Sequence, residues 1–446
     1  MTRAWRQLTV LSLAELGALG LWFSASAVLP ALRREWALGD SGSAALTIAV
    51  QAGFIVGTLA SALGNLPDVW SPRTLMTWSV VLGAAANGAL ALWASSLGPA
   101  LLLRFVTGVS MAGAYPPAMK IMATWFREGR GLAIGILIGA LTVGSATPHL
   151  IRGVTELPWR GTLGAASVLA AAAAVLVQAF VREGPYRFPA ARFDLRMAFA
   201  VFRERGPRLV CFGYLGHMWE LYAMWAWIGV FLAESLRVRG GGSYAGLNAS
   251  GATFLVIAVG ALGCWLGGVV SDRWGRTTLT MTAMAISGTC AAVTGLTFGG
   301  PPLVTLGLAA VWGIAIVADS AQFSTAITEL SPPAYVGTAL TTQTCVGFAL
   351  TMVSIWLTPP LVRWAGWPWA FAALAIGPAL GVVAMGRLRM LPDSAKLAGG
   401  PPLMVSRGQR QGPSRGPPSS YTAKGWSSRR LSSRAPCSSS HSRVDS

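Results

Sequence analysis

The side chains able to do chemistry are few, and most stand inside long apolar runs. Glu15, Arg104, His217, Glu220 and Asp319 are each flanked by stretches of Leu, Val, Ala, Gly and Trp. A charge at the centre of a bilayer costs about 2.5–3.5 kcal/mol on insertion scales. Such groups are therefore expected to face a bundle interior or a wet cavity. His217 precedes Glu220 by three positions, so a helix puts both on one face. A buried carboxyl beside an imidazole, which titrates near neutrality, suits the uptake and release of a proton. Glu220 with His217, and Glu15 with them, are the candidates for carrying a coupling proton or holding a cationic group. Against this stands a static interhelical hydrogen bond. Arg104 is followed along one face by Gly108, Met111 and Tyr115; it suits an anionic solute or the neutralisation of an acid, against snorkelling to an interface. Lys120, His149 and Arg152 sit nearer span ends, where the bland interfacial reading is the better one. Asp319, Gln322 three positions later and Gln343 add polar groups to the same cavity. Trp22 and Trp227 each follow a buried glutamate by seven residues. They are the tryptophans expected to stack on a substrate, the remainder being interfacial or packing residues.

The elements that must position these residues follow from composition. Of 446 residues, 53% are hydrophobic and only 11% charged. Soluble domains carry about 25% charged residues, and disorder needs low hydrophobicity, so both classes are excluded for most of the chain. Spans of about 20 apolar residues cross a bilayer as helices. Twelve are read, near 8–32, 43–64, 73–95, 98–121, 129–151, 160–181, 209–233, 249–271, 276–298, 302–325, 334–358 and 367–388. The runs are continuous rather than alternating, which selects helices over barrel strands. Glu15 and the long apolar run to Leu32 argue against a cleaved leader in the first span. Five cysteines without metal-ligand spacing and three histidines predict no metal and no cofactor. No nucleotide, metalloprotease or nucleophile-elbow motif occurs, and no Ser or Cys is recognisable beside an activating base, so the chain does not read as an enzyme.

The net charge of +18 suggests nucleic acid until its placement is considered. With a cytoplasmic N-terminus, seventeen Lys and Arg fall in cytoplasmic segments and seven on the other side. That bias orients the chain with both termini inside, in the plasma (inner) membrane, and removes the need for a nucleic-acid partner. The expected division is a six-helix bundle over 1–181, a basic cytoplasmic linker over 182–208, a second bundle over 209–398 and a tail over 399–446. The tail holds 13 Ser and has no helical period, so it reads as a disordered, dispensable extension.

The halves echo each other. Glu15 and Glu220, Trp22 and Trp227, and Gly108 and Gly313 are each 205 positions apart; Asp68 and Asp272 are 204 apart, and Gly131 and Gly337 are 206 apart. The expectation is an all-α membrane protein of twelve helices in two pseudo-symmetric six-helix bundles, with a binding site between them near the bilayer midplane.

Three motifs carry a family resemblance. Gly268-Val-Val-Ser-Asp272-Arg273-Trp-Gly275-Arg276 resembles the loop between the eighth and ninth helices of the major facilitator superfamily. Gly64-Asn-Leu-Pro-Asp68-Val-Trp-Ser-Pro-Arg73 is similar to its partner between the second and third, with Ser71 in place of the second glycine. Arg104-Phe-Val-Thr-Gly108 resembles the fourth-helix motif. The resemblance covers 1–398. It implies alternating access, with Gly64, Asp68, Arg73, Gly268, Asp272, Arg273, Gly275 and Arg276 forming gating loops on the cytoplasmic side. The fifth-helix antiporter motif is not reproduced: Gly135, Gly139 and Gly144 are present, but Pro148 falls one position early. The expected activity is proton-coupled symport of a small polar or organic anion by a monomer, its partners being the solute, protons and the bilayer. Drug or metabolite antiport, and a non-transporting receptor on the same fold, are the alternatives.

Overall fold

A computed structural model describes residues 2–126, 130–155, 157–186, 193–194, 197–332 and 335–397, without the side chains of Pro67, Asp68, Arg130 and Asp272. The tail read from the sequence over 399–446 lies outside the described residues. Among the described residues, eleven helical runs are long and apolar enough to cross a membrane. They are Arg3–Glu35, Asp40–Leu63, Pro72–Trp93, Leu97–Ala123, Gly131–Val154, Trp159–Phe180, Arg205–Val238, Ala249–Ser271, Arg276–Thr297, Pro302–Leu330 and Val336–Arg389. The last has 54 residues, which at 1.5 Å per residue is more than twice a ~30 Å hydrocarbon core. It breaks at Gly366, whose φ of 80° lies in the left-handed region that glycine adopts without strain. Residues 336–365 and 367–389 are thus the eleventh and twelfth spans, and the count of twelve agrees with the sequence reading.

Local chemistry explains where the spans begin. The third starts with Pro72 at its first position while Ser71 Oγ accepts the Thr74 N–H at 3.2 Å. The eighth starts where Asn248 Oδ1 accepts the Gly251 N–H at 2.8 Å. Gly275, at φ 84°, turns the eighth directly into the ninth.

The packing is duplicated. The first span lies against the fifth and sixth, and the seventh against the eleventh and twelfth; the second lies against the fourth, and the eighth against the tenth. Across the halves the second meets the eleventh and the fifth meets the eighth. Small residues permit these approaches. A Cβ on Gly108 would strike the Val50 carbonyl, and a Cβ on Gly313 the Val256 carbonyl. Gly57 against Val109 O repeats as Gly263 against Ile314 O. These pairs keep the offset of 205–206 read from the sequence.

The first and seventh spans obey a different offset. Gly17 packs on the Leu169 carbonyl as Gly216 packs on the Gly377 carbonyl. Trp159 Nε1 donates to Glu35 as Trp367 Nε1 donates to Glu234. Gly17 to Gly216 and Glu35 to Glu234 are both 199 positions. The six-position difference is the longer connection in the second half: four residues separate Glu35 from Asp40, and ten separate Val238 from Ala249. Glu15 and Glu220 are therefore not structural mates, and neither are Trp22 and Trp227. Their equal sequence spacing arises outside the packing symmetry.

Candidate functional site

Both halves contribute to a central cavity of about 100 Å³. Its apolar wall is a cluster of rings. Trp22 lies 5.0 Å from Phe54, 5.5 Å from Phe348 and 5.8 Å from Tyr222, centroid to centroid. Phe54 and Phe348 are 4.4 Å apart and bring the second and eleventh spans together. Phe23 meets Trp225 edge-on at 5.5 Å. The polar lining comes from both halves: Tyr115, Thr142 and Ser145 of the fourth and fifth spans, and Tyr214, His217, Ser320, Ser324 and Thr344 of the seventh, tenth and eleventh. The site is divided into an aromatic part and a hydroxyl-and-imidazole part.

His217 is the centre of the polar part. Its Nδ1 is 2.9 Å from Asp319 Oδ1, and its Nε2 is 3.2 Å from the Ser320 hydroxyl. Ser320 lines the cavity, whereas Asp319 is 1% exposed behind the imidazole. The helix register makes this possible: the tenth span is interrupted at Asp319, so successive side chains flank the imidazole. The carboxylate is a counter-charge placed against one ring nitrogen, while the other nitrogen meets a hydroxyl that lines the cavity. The sequence reading placed His217 with Glu220 and found no hydroxyl beside a base. The structure pairs the imidazole with Asp319 and sets Ser320 beside it.

Glu220 faces elsewhere. It accepts the Trp312 Nε1–H at 2.7 Å and the Ser287 hydroxyl at 2.8 Å, inside the second bundle. Glu15 is fully buried in the first span, close enough to Tyr115 for electrostatic influence, and neither carboxyl oxygen has a partner among the described residues. Tyr115 and Trp22 line the cavity; Trp227 does not. Its N–H donates to Ile355 O at 3.1 Å, and its ring lines a separate space toward Arg33, Asp40 and Arg363. Gln343 is buried with no partner for its Nε2 among the described residues. Gln322 turns away from the cavity to accept Arg276 Nη1 at 2.7 Å.

Arg104 is 0% exposed, which excludes snorkelling. Its guanidinium donates to Leu21 O at 2.8 Å, Ser24 Oγ at 3.1 Å, Leu46 O at 3.4 Å and the Trp22 carbonyl. Ser24 continues to Asn87, which donates to Leu163 O and Ser167 Oγ, both at 3.0 Å. The arginine is thus the hub of a polar core in the first bundle, and its donors are turned to protein acceptors rather than to the cavity. Its role is to hold the first span, and with it Trp22. Arg104→Gln is expected to lower the melting temperature while changing solute affinity less than about threefold. A charge-assisted contact to a bound anion would cost tenfold or more. Ligand-induced thermal shifts on the purified variant separate the two outcomes.

The residues expected to gate fall into two groups. Gly64 caps the second span, Arg73 is half-buried, Arg273 is exposed, and Gly268 packs against the Gly131 carbonyl of the fifth span. Arg276 is buried and grips Glu329 through Nε at 2.8 Å and Nη2 at 2.7 Å. Glu329 was not singled out in the sequence, because it sits alone at the end of an apolar run. The side chains of Asp68 and Asp272 lie outside the described residues. At the opposite end, Asp40 of the second span binds Arg363 of the eleventh at 3.1 Å, and Asn248 donates to Gly153 O at 2.8 Å. Both contacts join one half to the other.

Comparisons with known proteins agree with this architecture. Two relatives are 30% identical over short stretches. One is the "Probable high-affinity nitrate transporter 2.4" of Oryza sativa subsp. japonica, over 30% of this chain and 27% of its own length. The other is the "Probable nitrate/nitrite transporter NarK2" of Mycobacterium tuberculosis, over 28% of this chain and 33% of its own. The matched stretch thus spans about a third or less of these relatives. Among solved structures, the human organic anion transporter MFSD10 (TETRAN) superposes with a TM-score of 0.65 at 16% identity, over 86% of this chain and 100% of that one. The proton:xylose symporter XylE superposes at 0.64 and 15% identity, over 86% and 95%. At such identity the likeness is one of fold. The family model of the Major Facilitator Superfamily matches residues 11–354. With twelve spans in two look-alike sets of six around a shared cavity, the chain belongs to the Major Facilitator Superfamily of transporters.

Proposed function

We propose that the protein is a secondary transporter that carries a small anion together with a proton by alternating access, with its termini and linker on the cytoplasmic side of the plasma membrane. The observation that carries this reading is the Asp319–His217–Ser320 series at the cavity wall. Asp319 and an imidazolium form a neutral pair. A further proton leaves the pair with one positive charge, which an anion then cancels. A buried uncompensated charge is costly, so proton and anion enter more favourably together than either alone. That linkage is the thermodynamic content of symport. Drug antiport of a cationic solute would call for a free carboxylate on the cavity. Asp319 is engaged by His217, Glu220 is engaged by Trp312 and Ser287, and Glu15, unpartnered among the described residues, is fully buried and not in the cavity lining. The nitrate transporters among the similar sequences support an anionic solute.

The test is uptake into proteoliposomes of a panel comprising nitrate, formate, acetate and benzoate, with and without an imposed pH gradient. At least one anion is expected to accumulate, above the level that protein-free liposomes reach by diffusion of the neutral acid, only when the outside is acidic, and its addition is expected to acidify the lumen faster than in those liposomes. Uptake indifferent to the gradient for every transported anion would remove the coupling.

A further inference from the structure

The end of the molecule away from the linker carries a group of charges that the central cavity does not use. Asp40 opens the second span, where a helix N-terminus favours a carboxylate, and Arg33 lies in the last turn of the first, where a C-terminus favours a cation. Arg363 lies three positions before the break at Gly366 that ends the eleventh span. The Asp40 carboxylate is shared: one oxygen is 2.8 Å from Arg33 Nη2 and the other is 3.1 Å from Arg363 Nε. Arg33 and Asp40 belong to the first half and Arg363 to the second. One carboxylate thus makes a contact within a half and a tie between the halves.

The charges of this triad do not cancel, since two guanidiniums meet one carboxylate. The triad borders a space of about 320 Å³. Glu234 borders it too, and with Arg237 it borders an adjoining space of about 300 Å³. Glu234 and Arg237 are three positions apart on one helix face and offset each other. Glu35, two positions after Arg33, is turned to Trp159. Among the described residues the space is therefore left with one positive charge that no acid cancels. The Arg363 side chain is 70% exposed, so water and ions reach it. A water molecule takes about 30 Å³, so the space admits a small anion with several waters.

We propose that this space is a second anion site, in which a small inorganic anion seats on Arg363, beside Arg33, in place of one Asp40 oxygen. The exchange leaves no charge unpaired: Arg33 keeps Asp40, Arg363 takes the anion, and the triad becomes neutral. It also loosens the closure of this end, because the tie between the second and eleventh spans passes through the oxygen that is displaced. An exposed ion pair is worth little in water and is screened by salt, so free anion competes with it. The Asn248–Gly153 contact at the same end is uncharged and does not compete for the anion. The site is separate from the central cavity and stands whatever that cavity carries.

Thr358 borders the same space and is 1% exposed, so a cysteine there reports loosening. Alkylation of Thr358→Cys by a neutral maleimide is followed on the full chain in lipid nanodiscs, with sodium nitrate replacing sodium gluconate at constant ionic strength. The four described cysteines are buried, and the unaltered chain supplies the background. Nitrate is expected to raise the rate by at least about fivefold, to a plateau, as it shifts the population toward the loosened form. With Arg363→Gln added, the rate is expected to be high in gluconate and indifferent to nitrate. Asp40→Asn leaves two guanidiniums without their carboxylate. Nitrate is then expected to bind at least about tenfold more tightly, read as a lower half-effective concentration in a thermal shift, because no tethered carboxylate competes. Misfolding cannot produce that gain. Alkylation indifferent to nitrate in Thr358→Cys overturns the site. An unchanged half-effective concentration in Asp40→Asn does so too, and makes the triad an ordinary surface pairing. A nitrate response that survives Arg363→Gln places the effect at the central cavity and overturns the proposal. A rate that follows replacement of sodium by choline, and not of gluconate by nitrate, makes the space a cation site and overturns it equally.

Discussion

Asp319→Asn is expected to abolish proton movement linked to the solute while leaving the cavity able to bind it. Asparagine matches aspartate in size and keeps an oxygen 2.9 Å from Nδ1, where Asp319 makes an ion-pair contact rather than an aligned hydrogen bond, so the imidazole keeps its place. What disappears is the carboxylate, the partner that can return to a negative charge. A positive charge held in a pair that is 1–3% exposed would then have no counter-charge. Proton influx on addition of the anion, read with a pH dye trapped in proteoliposomes, is expected to fall at least a hundredfold. Exchange of labelled for unlabelled anion at equal pH needs no net proton movement and is expected to persist. His217→Gln is expected to behave alike. Glu220→Gln is expected to retain coupling, since the Trp312 N–H and the Ser287 hydroxyl still meet an amide oxygen or nitrogen there. If Asp319→Asn moves protons like the unaltered protein, the coupling site lies elsewhere, and Glu15, buried with neither oxygen partnered among the described residues, becomes the next candidate.

The contrast between Glu220 and Asp319 shows where sequence reasoning stops. That both carboxylates are buried was readable, because charge in an apolar run must turn inward. Which one meets the imidazole was not. His217 and Glu220 share one helix, and periodicity sees only neighbours on the same helix. The Asp319 contact depends on how the seventh span is rotated against the tenth. Phe54 and Phe348 carried no signal at all: each is an ordinary aromatic in an apolar span, and only the meeting of the second with the eleventh makes them a wall. The acceptors of Arg104 are mostly backbone carbonyls, which every residue possesses and no motif marks. The repeat was readable where glycines enforce it, in Gly108 and Gly313, because a required close approach fixes residue type. It misled in the first and seventh spans, where the six-residue difference in the following connection shifts the register.

Those glycines give the largest expected effect on folding. Gly313→Ala places a methyl group on the Val256 carbonyl, and Gly108→Ala places one on the Val50 carbonyl. Neither obstacle is a flexible side chain end; each is helix backbone, so the two helices must separate. Overpacking of this kind costs about 3 kcal/mol or more. Loss of most monodisperse protein on size-exclusion chromatography is expected for either variant. Gly307→Ala, with nothing within 4 Å of the added carbon, is expected to match the unaltered protein. The glycine between the halves should act differently. A Cβ on Gly268 would lie 3.0 Å from the Gly131 carbonyl, where the fifth and eighth spans of opposite halves meet. In the alternating access proposed above, such contacts separate in one of the two states, so Gly268→Ala penalises one state and spares the other. The folded yield is expected to survive, while the population shifts toward the state in which that contact is open, by roughly tenfold for each 1.4 kcal/mol of clash. Alkylation of a cysteine introduced beside the Gly131–Gly268 contact measures the shift. Equal loss of folded protein in Gly268→Ala and Gly313→Ala would mean that the fifth–eighth contact is part of the fixed core and does not open during transport.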